Sequence, residues 1–403
     1  MPETLIVQPT YEGYRNFYLS NDTRLYFKNL VDWNRAGHPF YPVTQKFLTY
    51  YISREYVDYS KGIDVACYVL NEGDNIDSYE ELLPEEHFSV EHKIAATCHD
   101  TKNLFSYVSS KKQLSDFMAI AGQSNYTGRQ GIEFYPQEMT IFVESGFAPT
   151  KTCTSLKNIQ MKKSKYHVPQ NLELLETEYL RPLIKGVDIS AFHIDVSGYI
   201  VPFPYDEEQD DRLPIPLIEL TKRAPKLAAF YQKHKELILS QTQYNGRIIG
   251  KKSSEFYAVA RVGAYSFARH YVAFRDNTKW GAAVVSQIDT KWGGLKNPLF
   301  QKHAVSICED IEGNFISLDE AHYICGIMNT PVALDYVKMS SDSRSYPIRP
   351  RIYIPKFDAS NAIHQMIVRL SKEAHEVYDN PDRIKRIMQR LNALYLTLAR
   401  KRQ

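Results

Sequence analysis

Through its first hundred or so positions the chain alternates short apolar runs with polar ones. "YPVTQKFLTYYIS" (41–53) and "KGIDVACYVL" (61–70) carry the β-branched and aromatic residues of short strands. "YEELLPEEHFSVEHK" (79–93) is polar and predicts a mostly helical stretch. "NLFSYVSSKKQLSDFMAIAG" (103–122) places apolar residues at i, i+3, i+4 and i+7, a helix ending at Gly122. From about residue 123 the texture changes. "IEFYPQEMTIFVES", "SGYIVPFPY", "FYAVARVGAYSFARHYVAFR", "WGAAVVSQI" and "HAVSICEDI" read as β segments between polar or glycine-rich loops. One helix interrupts them at 224–241, entered through Pro225. Further on, "SLDEAHYICGIMNTPVALDYVKMSS" (317–341) opens with the Ser317–Glu320 pattern of a capping box and is divided at Pro331, which predicts two short helices. Two more helices close the chain, the second starting from Asn380-Pro381. The expected class is α+β: a mixed α/β segment over 1–118, a β-rich domain with inserted helices over 119–357, and a helical tail over 358–403.

Composition refines this picture in two places. Tyrosine is abundant, with 29 residues, and suits half-buried positions with one wet edge. The net charge of +2 does not describe a general polyanion binder, but the charges are unevenly spread. Residues 151–170 hold several lysines and no acid, 244–276 interleave Arg and Lys with aromatics, and "YDEEQDD" (205–211) is acidic. Local basic stripes fit contact with phosphates. The five cysteines lie far apart with no CxxC spacing, as expected in a reducing compartment. No leader peptide or membrane span is visible, so the expected location is the cytoplasm without membrane association.

Candidate reaction centres are few. His87, His92, Cys98, His99 and Asp100 cluster in sequence without the spacing of a metal motif, and the expectation is no metal site. Asp64 precedes a strand as nuclease carboxylates do, yet no Glu-x-Lys is read at the expected distance. For amino-methylation of DNA the nearest string is "NPLF" (297–300), which lacks a second proline and reads as a turn into the next strand. Triads, phosphate loops and dinucleotide fingerprints are missing, so no catalytic residue is assigned.

Seven segments nevertheless occur in a recognisable order. They are "HPFYPVTQKFLTYYI", "SNYTGRQGIEFYPQEMTIF", "YLRPLIKGVDISAF", "GYIVPFPYD", "APKLAAFYQKHKELIL", "ICGIMNTPVALDYV" and "RIYIPKF". From about Phe40 to Phe357 the chain resembles the C-terminal half, with its target-recognition domain, of N6-adenine DNA methyltransferases of the type IIG and phage-defence kind. The departures are specific. The family's cofactor motif and Asn-Pro-Pro-Tyr loop belong before residue 40, where only about forty residues stand, and "KGVDI" has valine where the family often has a polar residue.

The resemblance implies the specificity subunit of a split enzyme. S-adenosylmethionine would be bound by a separate catalytic methyltransferase subunit, docked on residues 1–118 or on the terminal helices, and this chain would bind no cofactor. Double-stranded DNA is the implied ligand, and a nuclease or translocase subunit is a further candidate partner. Recognition domains read base edges with Arg, Lys, Asn and Gln and anchor on phosphates with Lys and Arg. The residues of those types in suitable loops are Arg129, Gln241, Gln243, Asn245, Arg247, Lys251, Lys252, Arg261, Arg269, Arg344 and Arg349. "GRQG" sets Arg129 between two glycines, where backbone and DNA could approach closely. An autonomous sequence-specific DNA-binding protein and an unrecognised nuclease are the competing expectations.

Overall fold

The chain forms an α+β structure in which a computed structural model describes all residues except 1, 9–10, 20–22, 38–45, 75–83, 99–103, 147–149, 151, 161–165, 167, 209–212, 241–254, 278, 342–345, 350 and 403. It divides into two compact units. The first comprises 1–124, 330–355 and 386–403, the second 125–329 and 356–385. The C-terminal segment 358–403 is thus shared between them.

The first unit is built on a five-stranded sheet in the order Leu48–Ser53, Tyr26–Arg35, Ile63–Leu70, Phe88–Thr97, Phe105–Val108. Tyr26–Arg35 and Ile63–Leu70 run parallel, and the other neighbours are antiparallel. Ile6, Phe27, Leu30, Leu48, Val65 and Phe105 pack one core; Trp33 stacks on Tyr68 at 4.6 Å in another. The two expected strands are present. The polar stretch ending at Lys93 differs from expectation, because only Pro84–His87 is helical within its described part and Phe88–Thr97 is a strand. Its eight-residue ladder with Ile63–Leu70 is a non-local pairing, which overrides local polarity. The helix expected from 103 starts only at Lys111, where the Ser110 side chain accepts from the Gln113 N–H at 3.2 Å. The fully buried run Phe105–Val108 before it is a strand, and a short apolar run of that kind fits either element by periodicity.

The second unit holds a six-stranded sheet, Leu299–Phe300, Leu180–Ile184, Ile200–Pro202, Phe142–Glu144, Cys153–Asn158, Leu172–Glu176, and a four-stranded sheet, Ala282–Val285, Tyr271–Arg275, Ala304–Asp310, Tyr126–Gln130. Within "IEFYPQEMTIFVES", Gln137–Thr140 is a helical turn rather than strand. "NPLF" does not only turn: Leu299–Phe300 is a strand parallel to Leu183–Ile184. The expected helix 224–241 is two, Pro225–Lys233 and Lys235–Leu239, broken at His234.

Helix Leu318–Met328 is capped as its sequence predicts, Ser317 and Glu320 forming a reciprocal capping box. The helix is apolar on nearly all sides and, apart from its first turn, buried throughout, as such a helix must be. It ends at Asn329, which is fully buried. The Asn329 carboxamide takes the Ala282 N–H at 2.9 Å and donates to the Ala282 carbonyl at 2.7 Å. A side chain here does part of the work of a neighbouring strand, satisfying the Ala282 N–H and sharing its carbonyl with the Phe192 N–H at 2.8 Å.

Candidate nucleic-acid interface

Of the eleven residues singled out by the sequence, Gln241, Gln243, Asn245, Arg247, Lys251, Lys252 and Arg344 lie outside the described residues. Arg129, Arg261, Arg269 and Arg349 lie within them. The second unit carries Arg129, Arg261 and Arg269; the first carries Arg349.

Arg129 sits on strand Tyr126–Gln130, which pairs antiparallel with Ala304–Asp310 and puts Arg129 opposite Ser306. Its Nε donates to Glu309 at 2.6 Å, and its guanidinium lies over the Tyr265 ring at 5.2 Å. Glu309 is buried. A buried carboxylate needs a partner, so Arg129 has a structural task besides any contact with DNA. Arg261 approaches the same tyrosine from the loop after the undescribed residues 251–254. Burial pushes the Tyr265 phenol up, and the nearby Arg129 and Arg261 charges oppose that shift. Tyr265 is thus in contact with Arg129 and within the electrostatic reach of Arg261.

Arg261 is held by its backbone as well as by its side chain. Its φ of 67° is rare for a residue with a side chain. Nη1 donates to the Gly131 carbonyl at 3.2 Å, and Nη2 pairs with Glu133 at 3.1 Å. Lys302 reaches the same Glu133 oxygen at 3.1 Å. Three cations, Arg129, Arg261 and Lys302, thus meet two carboxylates, Glu133 and Glu309. The balance is positive, and all three cationic side chains remain between one third and two fifths exposed. Lys302 was not singled out from sequence, since "LFQKHA" has no motif around it; only the return of strand 299–300 beside Gly131 puts it there.

Gly131 explains that return. A methyl group on it would stand 2.3 Å from the Gln301 carbonyl oxygen and 2.4 Å from that of Phe300. The contact lets the Ile132 N–H donate to the Phe300 carbonyl at 2.7 Å. The second glycine of "GRQG", where approach to DNA was expected, serves close approach to the protein's own chain. Gly186 in "IKGVDI" behaves alike: a Cβ there would lie 2.6 Å from the His303 oxygen. Beside it the Asp188 carboxylate accepts the Lys185 N–H at 2.7 Å and a hydrogen bond from Ser197, while the Lys185 ammonium rests 3.6 Å from the Tyr199 ring centre. Burial lowers the Lys185 pKa and Asp188 opposes the shift. The motif is a locked turn. Val187, the departure from the family pattern, is 69 % exposed, so the turn does not depend on the residue type at that place.

Arg269 is exposed just before strand Tyr271–Arg275, and Arg349 is exposed in the first unit; neither has a salt-bridge partner among the described residues. Charges of this kind remain available to an external phosphate.

The sequence does contain a Glu-x-Lys triplet, Glu91-His92-Lys93, on the strand paired with the one carrying Asp64. The register sets Glu91 opposite Cys67 and Lys93 opposite Val65, while Asp64 faces Ile94. With side chains alternating along a strand, Asp64 lies on the opposite face from Glu91 and Lys93. Glu91 is bound to Arg35 instead. That arrangement does not assemble a nuclease carboxylate–lysine set from these residues. Among the described residues no three His, Cys, Asp or Glu side chains gather to hold a metal ion, and no helix is long and apolar enough to cross a membrane. No family model matches the chain, and no curated protein is similar to it.

Proposed function

We propose that the chain is the DNA target-recognition subunit of a split S-adenosylmethionine-dependent N6-adenine methyltransferase, within a restriction-modification or phage-defence system of the cytoplasm. The observation that carries this reading is the group of half-exposed cations in the second unit, Arg129 over Tyr265 and Arg261 with Lys302 on Glu133, on segments that belong to the family-like motifs or to the loop between them. Such a group can anchor phosphates, with Gln241, Gln243, Asn245 and Arg247, outside the described residues, proposed to read base edges. The cofactor and the amino-group chemistry are assigned to a catalytic partner docked on the first unit or the terminal helices, because these 403 residues contain neither the glycine-rich cofactor turn nor the Asn-Pro-Pro-aromatic loop. A nuclease or translocase would complete a restriction system. The test is isolation of the chain from its native cells with whatever co-elutes. The proposal expects a stoichiometric partner that cross-links to S-adenosylmethionine and methylates adenine only with this chain present. A solitary chain that binds one DNA site tightly would replace the proposal with an autonomous DNA-binding protein.

A further inference from the structure

Two cationic side chains of the second unit meet with no carboxylate between them. Arg181 lies on strand Leu180–Ile184, and Lys296 ends strand Gly294–Lys296, which pairs with Ile288–Thr290 in a hairpin. Arg181 Nη1 donates to the Glu178 carbonyl at 2.8 Å and to the Leu180 carbonyl at 2.9 Å. Lys296 Nζ donates to the same Glu178 carbonyl at 3.4 Å. One oxygen therefore holds the two charges side by side. Neither side chain forms an ion pair among the described residues, and both residues are partly exposed. The remaining N–H groups of both heads, including the Nε–Nη2 edge of Arg181, have no acceptor among the described residues.

The lysine is held in place. Its stem lies along Gly293, where an added Cβ would stand 2.9 Å from Lys296 Cε. Gly293 is itself fixed, its N–H donating to the Thr290 hydroxyl at 3.1 Å. Burial lowers the pKa of both cations, and the Arg181 charge lowers that of Lys296 further. Glu178 opposes both shifts, and Glu207 that of Arg181, without overcoming them. Like charges kept together and partly out of water are stabilised by an anion that bonds both. The chemistry of the two heads selects its shape. A guanidinium edge takes two oxygens in parallel, and an ammonium adds a point charge for a third. We propose that Arg181 and Lys296 form a phosphate-binding site, separate in its residues from the group of Arg129, Arg261 and Lys302. The site stands without the DNA reading; where that reading holds, the phosphate belongs to the DNA backbone.

The probe is inorganic phosphate. The melting temperature of the purified full chain is followed in sodium phosphate and in sodium chloride of equal ionic strength. Phosphate also stabilises proteins by exclusion from their surface, which acts on every variant alike. The informative quantity is therefore the excess of wild type over Lys296→Gln. The expected result is a saturable excess, equivalent to phosphate binding about tenfold weaker in K296Q, the effect of one charge-assisted hydrogen bond. Arg181→Lys keeps the charge but loses the fork and is expected to weaken phosphate binding likewise. Lys291→Gln removes an exposed charge from the turn of the same hairpin and is expected to behave as wild type. No excess over K296Q, or an equal loss in K291Q, overturns the proposal. Titration of a labelled duplex then separates the sources. A salt slope lower by about one unit in K296Q assigns the site to DNA. An unchanged slope beside a lost phosphate effect assigns it to a free phosphate or a phosphomonoester.

Discussion

Gly131→Ala puts the candidate interface to its sharpest structural test. The added methyl would meet three backbone atoms of residues 300 and 301 at 2.3 to 2.6 Å, and none of these is the movable end of a side chain. The two segments must part by the better part of an ångström. Overpacking of this kind costs about 1–3 kcal/mol, and losing the Ile132–Phe300 hydrogen bond adds about 0.5–1.5 kcal/mol. Alanine also removes conformational freedom from the unfolded chain, which returns about 0.4–1 kcal/mol. The net expectation is a loss of roughly 2–3 kcal/mol. For a unit of this size that lowers the melting temperature by about 4–12 °C, at ~2–4 °C per kcal/mol. Thermal and urea unfolding measure it, with DNA binding followed in parallel, because Arg261 donates to the Gly131 carbonyl and Lys302 lies just beyond the displaced strand. Gly13→Ala is the opposite control. Gly13 lies in a helix with nothing within 4 Å of an added methyl and no positive φ, so alanine is expected to stabilise slightly, by up to about 1 kcal/mol. A Gly131→Ala chain as stable as wild type would refute the packing argument.

Further expectations concern burial, pH and charge. Asn329→Ala strands the Ala282 N–H in the core, while the Phe192 N–H still holds the Ala282 carbonyl, and is expected to destabilise by about 1–3 kcal/mol, visible as a lower urea midpoint; an unchanged midpoint would show that another group replaces it. Burial holds the His322 pKa down at about 3, with His375 adding to the shift. Because the folded value lies below the unfolded one, the neutral ring's contribution is complete above about pH 6.5 and is lost as pH falls towards 3. His322→Gln should flatten the fall in urea midpoint between pH 6.5 and 4, and an equal fall in both chains would remove His322 from the cause. Arg261→Ala, or joint replacement of Arg247, Lys251 and Lys252 by alanine, should weaken DNA binding and reduce its salt dependence by about one unit of log–log slope per lost phosphate contact. Unchanged salt slopes in titrations of labelled duplex would take those residues out of the interface.

Much of this architecture is legible in sequence, and the misses have a common cause. The Ser317–Glu320 cap, the break at Pro331 and the strands at 48–53 and 63–70 follow from local chemistry, and local chemistry determined them. Phe88–Thr97 does not, because its strand state is conferred by a partner across the sheet. The candidate site divides in the same way. Arg129 and Arg261 stand out by residue type within basic, aromatic stretches. Glu133, Glu309 and Lys302 carry no such signal, yet they set how much positive charge the site keeps; the ladder of 126–130 with 304–310 brings Glu309 to Arg129, and the approach of 300–301 to Gly131 brings Lys302 to Glu133. The role of Asn329 was equally invisible: an asparagine at a helix end reads as a cap, and its pairing with Ala282 is a tertiary event.

The central claim is that this chain selects a DNA sequence. Incubating the purified full chain with a random-sequence duplex library at low salt, then sequencing the retained fraction, measures that directly. The expected result is weak retention with enrichment of one short motif, and on Arg261→Ala a smaller retained fraction with the same motif. Retention without enrichment, or no retention at all, would contradict it.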